Sequence, residues 1–261
     1  MSPTSTSEGA PRRPPSLGGA AFLDLLIALA TLVVANVVVL LPVVVVSMAM
    51  HAPGTGADPG RPDVHAMTAA MMPQLVAATI FATLLGAAAT WFVRGRRMPS
   101  LPALPPAVAY PLAVVAGLLI QLACMGISML AELGGMPIAP SNADPVAQMA
   151  ASTPWLAWLV VVLVGPFAEE LLFRHVLLRR FALAGRTVLG LVVTALVFAA
   201  MHELVPGDAG VSAWLIALAL YAAMATGFGL VYVRTGRFGA AFVAHAACNL
   251  VAMLGATFST L

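Results

Sequence analysis

Long apolar runs constrain this chain more than any other feature of its sequence. Several are longer than the roughly 18 residues that a helix needs to cross about 30 Å of hydrocarbon. The mean hydropathy is +1.00, and 61% of the 261 residues are hydrophobic whereas only 8% are charged. This length and composition predict a single all-α, polytopic membrane helical bundle in the lipid bilayer.

Seven segments are predicted to span the bilayer, and polar or Pro- and Gly-rich stretches join them. They cover residues 20–49, 67–93, 106–131, 155–178, 187–202, 213–233 and 238–256. In the loop before the fourth span, ADPVAQMAAS is predicted to form a short interfacial helix. The predicted organisation is a disordered cytoplasmic tail over 1–17, N-terminal transmembrane helices over 18–135, and a core over 136–261 that carries the chemical motifs.

The basic residues predict how the chain is oriented in the membrane. All twelve Lys or Arg positions are Arg. If the seven spans alternate in direction, ten of the arginines fall on one side of the membrane and Arg61 falls on the other. Arg174 is left inside span four. By the positive-inside rule, a multi-pass cell-membrane protein with a cytoplasmic N-terminus and an external C-terminus is predicted. No basic cluster suggests nucleic acid, and the sequence leaves the oligomeric state open.

The fourth predicted span contains three charged residues within PFAEELLFRHVLLRR. A charge at the bilayer centre costs several kcal/mol, so such residues normally face the bundle interior and have partners. The i, i+4 spacing of Glu170 and Arg174 allows a side-chain pair. Glu169 points about 100° away from Glu170 on the helix, so we expect it to stay available for another partner.

Spans five and seven bring further polar residues to a similar depth. Glu169 is 16 residues before Gly185 in the connecting turn, and His202 is 17 residues after it. In an antiparallel hairpin both lie roughly 24–26 Å from the turn. In HAACN of span seven, His245 and Asn249 share one helix face. We therefore expect Glu169, His202, His245 and Asn249 to form one site from three helices.

These residue types suit hydrolysis, but they leave other functions open. A carboxylate or His can take a proton from water, and Asn and His can donate to a developing oxyanion. Alternatively, Glu169, His202 and His245 match the ligand types and number of a catalytic zinc. Intramembrane Glu and His also mark proton or ion-coupled transporters, although no inverted repeat is visible. A non-catalytic scaffold or immunity protein would use the same residues to join helices.

Three motifs resemble those of the CPBP family, the CAAX-processing and bacteriocin-processing (Abi) intramembrane proteases. EELLFR resembles its E-E-x-x-x-R motif, FAAMH its F-x-x-x-H motif and HAACN its H-x-x-x-[ND] motif, over about 155–256. The resemblance implies an intramembrane endopeptidase in which Glu169 activates water and His202 assists. It implies an oxyanion site at His245 and Asn249, and a supporting pair of Glu170 and Arg174. It makes 136–261 the catalytic core.

The resemblance leaves the cofactor and the substrate open. A metal-free glutamate mechanism is favoured, with zinc on Glu169, His202 and His245 as the alternative. The expected partner is a membrane-embedded or membrane-associated peptide or protein. Eukaryotic family members cleave prenylated CAAX proteins, but the absence of Lys and the high Ala content here are typical of bacterial proteins, so that substrate is not carried over. Outside the motifs, Asp24 is expected to reach the cytoplasmic interface.

Overall fold

A computed structural model describes residues 17–50, 64–136, 138, 140–206 and 210–258. Within these ranges the regular structure is entirely helical. Six helices are long and apolar enough to cross a membrane, and the remaining predicted span, Thr187–His202, is a shorter apolar helix. The predicted all-α bundle of about seven helices is therefore confirmed. The predicted tail lies outside the described residues except for Leu17, which begins the first helix.

The described helices comprise ten α segments and three wider π segments, labelled in chain order. They are α1 (Leu17–Met50), α2 (Val64–Thr90), π1 (Trp91–Gly95), α3 (Pro106–Leu133), α4 (Ala143–Ser152), α5 (Pro154–Trp158), π2 (Leu159–Val164), α6 (Gly165–Glu170), π3 (Leu171–Leu178), α7 (Arg179–Leu183), α8 (Thr187–His202), α9 (Gly210–Thr235) and α10 (Phe238–Phe258). The segments from α5 to α7 form one continuous apolar helix, Pro154–Leu183, which we call span four. The short helix predicted over ADPVAQMAAS is α4.

Span four is the centre of the bundle. In its most apolar stretch 56% of the residues are buried, against 6% in α1. Around it, α2 and α10 pack on α6, and α8 packs on π3, while α1 packs mainly on α2. Residues of span four therefore face protein on most sides, and its charged side chains do not have to face lipid.

Small residues let α3 and α10 approach each other closely. Ala109, Ala113 and Gly117 on α3 are buried against Ala240 and Ala244 on α10. A Cβ added at Gly117 would overlap the backbone carbonyl of Ala244. Small side chains are the usual means by which membrane helices pack at short distance. Because His245 follows Ala244, this contact also sets the position of a predicted site residue.

One end of the bundle is held by a buried carboxylate. Asp24 of α1 is 0% exposed and accepts hydrogen bonds from the guanidinium groups of Arg94 in π1 and Arg180 in α7. The expectation that Asp24 reaches the interface is wrong, because a buried carboxylate is retained where cations pair with it. The contacts bring the start of α1 and the ends of π1 and span four together, as alternating spans require. The direction of this end in the membrane stays a prediction, as do the domain boundaries.

Candidate active site

The ion pair predicted within span four is present. Arg174 Nη1 lies 3.1 Å from Glu170 Oε1, and the two side chains are 1% and 0% exposed. Arg174 Nη2 donates to the carbonyl of Ala225 in α9 at 2.8 Å. The guanidinium carbon also lies 5.2–5.8 Å from the ring centres of three phenylalanines, Phe173, Phe198 and Phe228. Arg174 is therefore stabilised by a carboxylate, a carbonyl and aromatic faces in the bundle interior.

Glu169 lies between two imidazoles, at the convergence predicted from three helices. Its Oε1 is 3.8 Å from His202 Nε2 on α8, and its Oε2 is 3.7 Å from His245 Nε2 on α10. Both distances exceed that of a direct hydrogen bond. The Glu169 side chain is 20% exposed, whereas that of Glu170 is fully buried. The two adjacent glutamates thus have different environments, and Glu169 is the one that can meet a ligand.

His202 is fixed in position by its own helix and by two aromatic rings. Its Nδ1 lies 2.9 Å from the carbonyl of Phe198, which can only accept, so Nδ1 is the donor. In the neutral ring, Nε2 then carries the lone pair, and it faces Glu169. The imidazole is stacked between Phe198 at 4.3 Å and Tyr221 at 4.5 Å. The packing therefore holds the plane of the ring as well as its tautomer.

His245 joins the two glutamates. Its Nδ1 lies 2.9 Å from Glu170 Oε1, so that its Nε2 is directed toward Glu169. The ring is stacked on Phe228 at 4.3 Å and is 3% exposed as a residue. The sequence did not reveal this second role of Glu170. Two neighbouring glutamates diverge on a helix, and only the position of α10 lets them approach opposite nitrogens of one imidazole.

Asn249 lies one turn beyond His245 on α10 and has a backbone partner. Its Nδ2 donates to the carbonyl of Val161 in π2 at 2.9 Å. The structure thus brings Glu169, His202 and His245 together. The Asn249 amide instead binds the backbone of span four. The oxyanion role expected for Asn249 stays a prediction.

A short strap, Ser141 and Asn142, contacts the end of α8, at which His202 lies. The Ser141 N–H donates to Glu203 Oε1 at 2.9 Å, and the Ser141 hydroxyl donates to the His202 carbonyl at 2.6 Å. The Tyr221 hydroxyl donates to Asn142 Oδ1 at 2.9 Å. Sequence reasoning missed Tyr221, because an aromatic residue in an apolar span carries no distinguishing signal. It contacts both His202 and the strap, and so it belongs to the site.

The three residues proposed as alternative zinc ligands lie near one another. The distances of 3.8 and 3.7 Å from Glu169 to the two imidazoles fall in the roughly 3–4 Å range expected for side chains on one ion. Both imidazoles direct Nε2 toward Glu169, which is chemically suitable for a metal. Across the part of the chain that the structure describes, however, no group of three or more His, Cys, Asp or Glu residues is arranged to hold one. Zinc stays the alternative to the favoured metal-free mechanism.

Comparison with known proteins identifies one related family. Residues 151–251 match the family model of the Rce1-like proteins, described as type II CAAX prenyl endopeptidase Rce1-like. No curated protein and no solved structure matches the chain. The matched range contains all six predicted site residues, and it begins after α1, α2 and α3. It agrees with the family resemblance of the three motifs.

Proposed function

Because residues 151–251 match the family model of the Rce1-like endopeptidases, we propose that the chain is an intramembrane endopeptidase. Its substrates are membrane-embedded or membrane-associated peptides or proteins. The observation that carries the proposal is the position of Glu169, which lies 3.8 and 3.7 Å from two imidazoles inside an apolar helical bundle. A partly exposed carboxylate beside two oriented imidazoles suits activation of water.

In the proposed reaction Glu169 is the general base. It takes a proton from a water molecule held between Glu169 and His202 Nε2, and the resulting hydroxide adds to the carbonyl carbon of the substrate. The carbonyl oxygen then carries the negative charge. As the C–N bond breaks, Glu169 returns the proton to the leaving amine nitrogen. His202 orients the water, since its Nε2 lone pair accepts a hydrogen bond.

His245 is proposed as the oxyanion donor, in the form protonated on both nitrogens. In that form Nδ1–H donates to Glu170 and Nε2–H is available to the developing oxyanion. The charges of Glu169, Glu170, Arg174 and a protonated His245 then sum to zero, which suits a buried cluster. Asn249 joins His245 as a donor only if its amide leaves the Val161 carbonyl.

The test compares wild type with Glu169→Gln, which keeps the size of the side chain and removes its charge. Membrane peptides and proteins that accumulate in cells expressing the variant identify candidate substrates, whose cleavage is then measured with purified protein. We expect turnover to fall by at least about 100-fold. Glu132→Gln, at an exposed end of α3, is the matched control and should retain activity. Equal cleavage by wild type and Glu169→Gln would refute the assignment.

Two further outcomes distinguish the alternatives. Zinc, if it is bound, would be held by Glu169, His202 and His245 and would supply a Lewis acid for the bound water. Stoichiometric zinc in active protein, with activity lost to a chelator and restored by zinc alone, would favour that mechanism. Proton flux in liposomes that disappears with Glu169→Gln, without any proteolysis, would instead support a transporter. Loss of partner binding without any loss of turnover would support a scaffold or immunity protein.

A further inference from the structure

The carbonyl of Val161 has lost both of its usual intrahelical donors. The N–H four residues later, on Gly165, donates to the carbonyl of Val160 instead. The residue five positions later is Pro166, which has no N–H. A backbone carbonyl without a partner in an apolar bundle is unfavourable, because no water replaces the missing donor. Span four therefore needs a donor from another helix at this position.

Asn249 supplies that donor. Its side-chain Nδ2 lies 2.9 Å from the Val161 carbonyl oxygen. We propose that Asn249 is a positioning residue: it replaces the N–H that Pro166 lacks, and it thereby fixes α10 against the part of span four that carries the glutamates. The proposal deepens the proposed function. Only the activity measurement in its test depends on that function.

A second contact makes the attachment specific. One turn before Asn249 on α10, His245 is bound to Glu170 at 2.9 Å. Val161 lies eight residues before Glu169 in span four, about two helical turns. Two bonds separated along both helices fix their rotation and their relative translation. Loss of the Asn249 bond should therefore move His245 relative to Glu169, and a displacement of about 1 Å can lower a rate by roughly 100-fold.

The experiment is a double-mutant cycle between Asn249 and Pro166. Asn249→Ala removes the donor, and Pro166→Ala restores an N–H that can reach Val161 if the register of Gly165 continues. The matched control is Pro154→Ala, since Pro154 begins α5, where an N–H would have no intrahelical acceptor. Each variant is measured by thermal unfolding in detergent and, for substrates identified as above, by kcat/KM.

We expect Asn249→Ala to lower the unfolding midpoint by about 3–8 °C and kcat/KM by at least about 10-fold. Pro166→Ala/Asn249→Ala should recover at least half of both losses, and Pro154→Ala/Asn249→Ala should recover neither. If Asn249→Ala yields no folded protein, recovery of folded protein in the Pro166 double variant is the same result, and no recovery overturns the proposal.

Two other results overturn it. Additive midpoint changes in the Pro166 cycle would mean that the two residues are not coupled. Recovery of the midpoint without recovery of kcat/KM would make Asn249 a direct oxyanion donor rather than a positioning residue. Because the midpoint is measured without a substrate, a failure of the proposed protease function leaves this part of the test intact.

Discussion

Glu170 Oε1 accepts a hydrogen bond from His245 Nδ1 at 2.9 Å, and this bond joins span four to α10. The same oxygen lies 3.1 Å from Arg174 Nη1 on its own helix. One buried carboxylate thus neutralises a buried cation and orients an imidazole of the candidate site. The stability of the bundle and the geometry of the candidate site therefore depend on the same group.

Glu170→Gln should destabilise the fold strongly, because it leaves the guanidinium of Arg174 buried without its counter-charge. Breaking a buried pair in this way costs about 3–5 kcal/mol. The free energy of unfolding in detergent measures the effect, and Glu132→Gln at an exposed position is the control. A loss below about 1 kcal/mol would mean that other groups compensate the charge of Arg174.

Arg174→Lys should also be destabilising, although it keeps the positive charge. The planar guanidinium donates to the Ala225 carbonyl while it faces Glu170 and three phenylalanine rings, and a compact ammonium group cannot make this set of contacts. We expect a loss of about 1–3 kcal/mol in denaturant unfolding. Arg96→Lys, at an exposed arginine over a single ring, should change stability by less than about 0.5 kcal/mol. Equal effects at the two positions would contradict the explanation that the buried contacts of Arg174 require a guanidinium group.

Tyr221 should act on catalysis through its ring. Tyr221→Phe keeps the stacking on His202 and loses only the hydrogen bond to Asn142, so kcat/KM should stay within about threefold of wild type. Tyr221→Leu removes the flat ring that holds the imidazole plane, and kcat/KM should fall by about 10-fold or more. If the phenylalanine variant is as impaired as the leucine variant, the strap contact is the important one and the stacking is not.

Gly117→Ala should displace α10 and His245 with it. The added Cβ would overlap the Ala244 carbonyl, and such overpacking typically costs about 1–3 kcal/mol. Gly126 on the same helix has open space around its Cβ position, so Gly126→Ala should be neutral or slightly stabilising. Unfolding midpoints and kcat/KM are compared for the two variants. A Gly117→Ala protein with wild-type values in both would show that α3 does not position the site.

The distribution of arginines predicts the orientation in the membrane. With seven spans, the N-terminus should be cytoplasmic and the end of α10 should be outside. A reporter that is active only in the cytoplasm should be inactive when fused after Leu261 and active when fused after Arg97. The reverse pattern would refute the orientation, and activity at both positions would refute the number of spans.

The sequence alone predicted the parts of the site that depend on helix periodicity. The spacing of Glu170 and Arg174 predicted their ion pair. The nearly equal distances of Glu169 and His202 from the turn near Gly185 predicted that the two residues lie at the same depth. Both predictions needed only the rise and the turn angle of a helix. The short helix over ADPVAQMAAS was recognisable because Gly and Pro separate it from its neighbours.

Contacts between helices far apart in sequence could not be derived in this way. The bond from His245 to Glu170 and the bond from Asn249 to Val161 depend on the rotation of α10 about its own axis, which its apolar composition does not determine. The prediction for Asp24 was wrong because the cations that pair with it come from two other segments of the chain. The π segments also change the directions in which the side chains of span four point about its axis, and no residue pattern predicts π segments.

The two cations that pair with Asp24 are both synthesised after it. The carboxylate is made in the first helix, but Arg94 follows 70 residues later and Arg180 follows 156 residues later. At about 5–20 residues per second, the second cation is synthesised roughly 8–30 s after Asp24. During that interval the nascent helix carries a carboxylate without its final partners, which favours keeping its start near water. The pairing of Asp24 with both cations is therefore completed only after Arg180 at the end of span four has been synthesised.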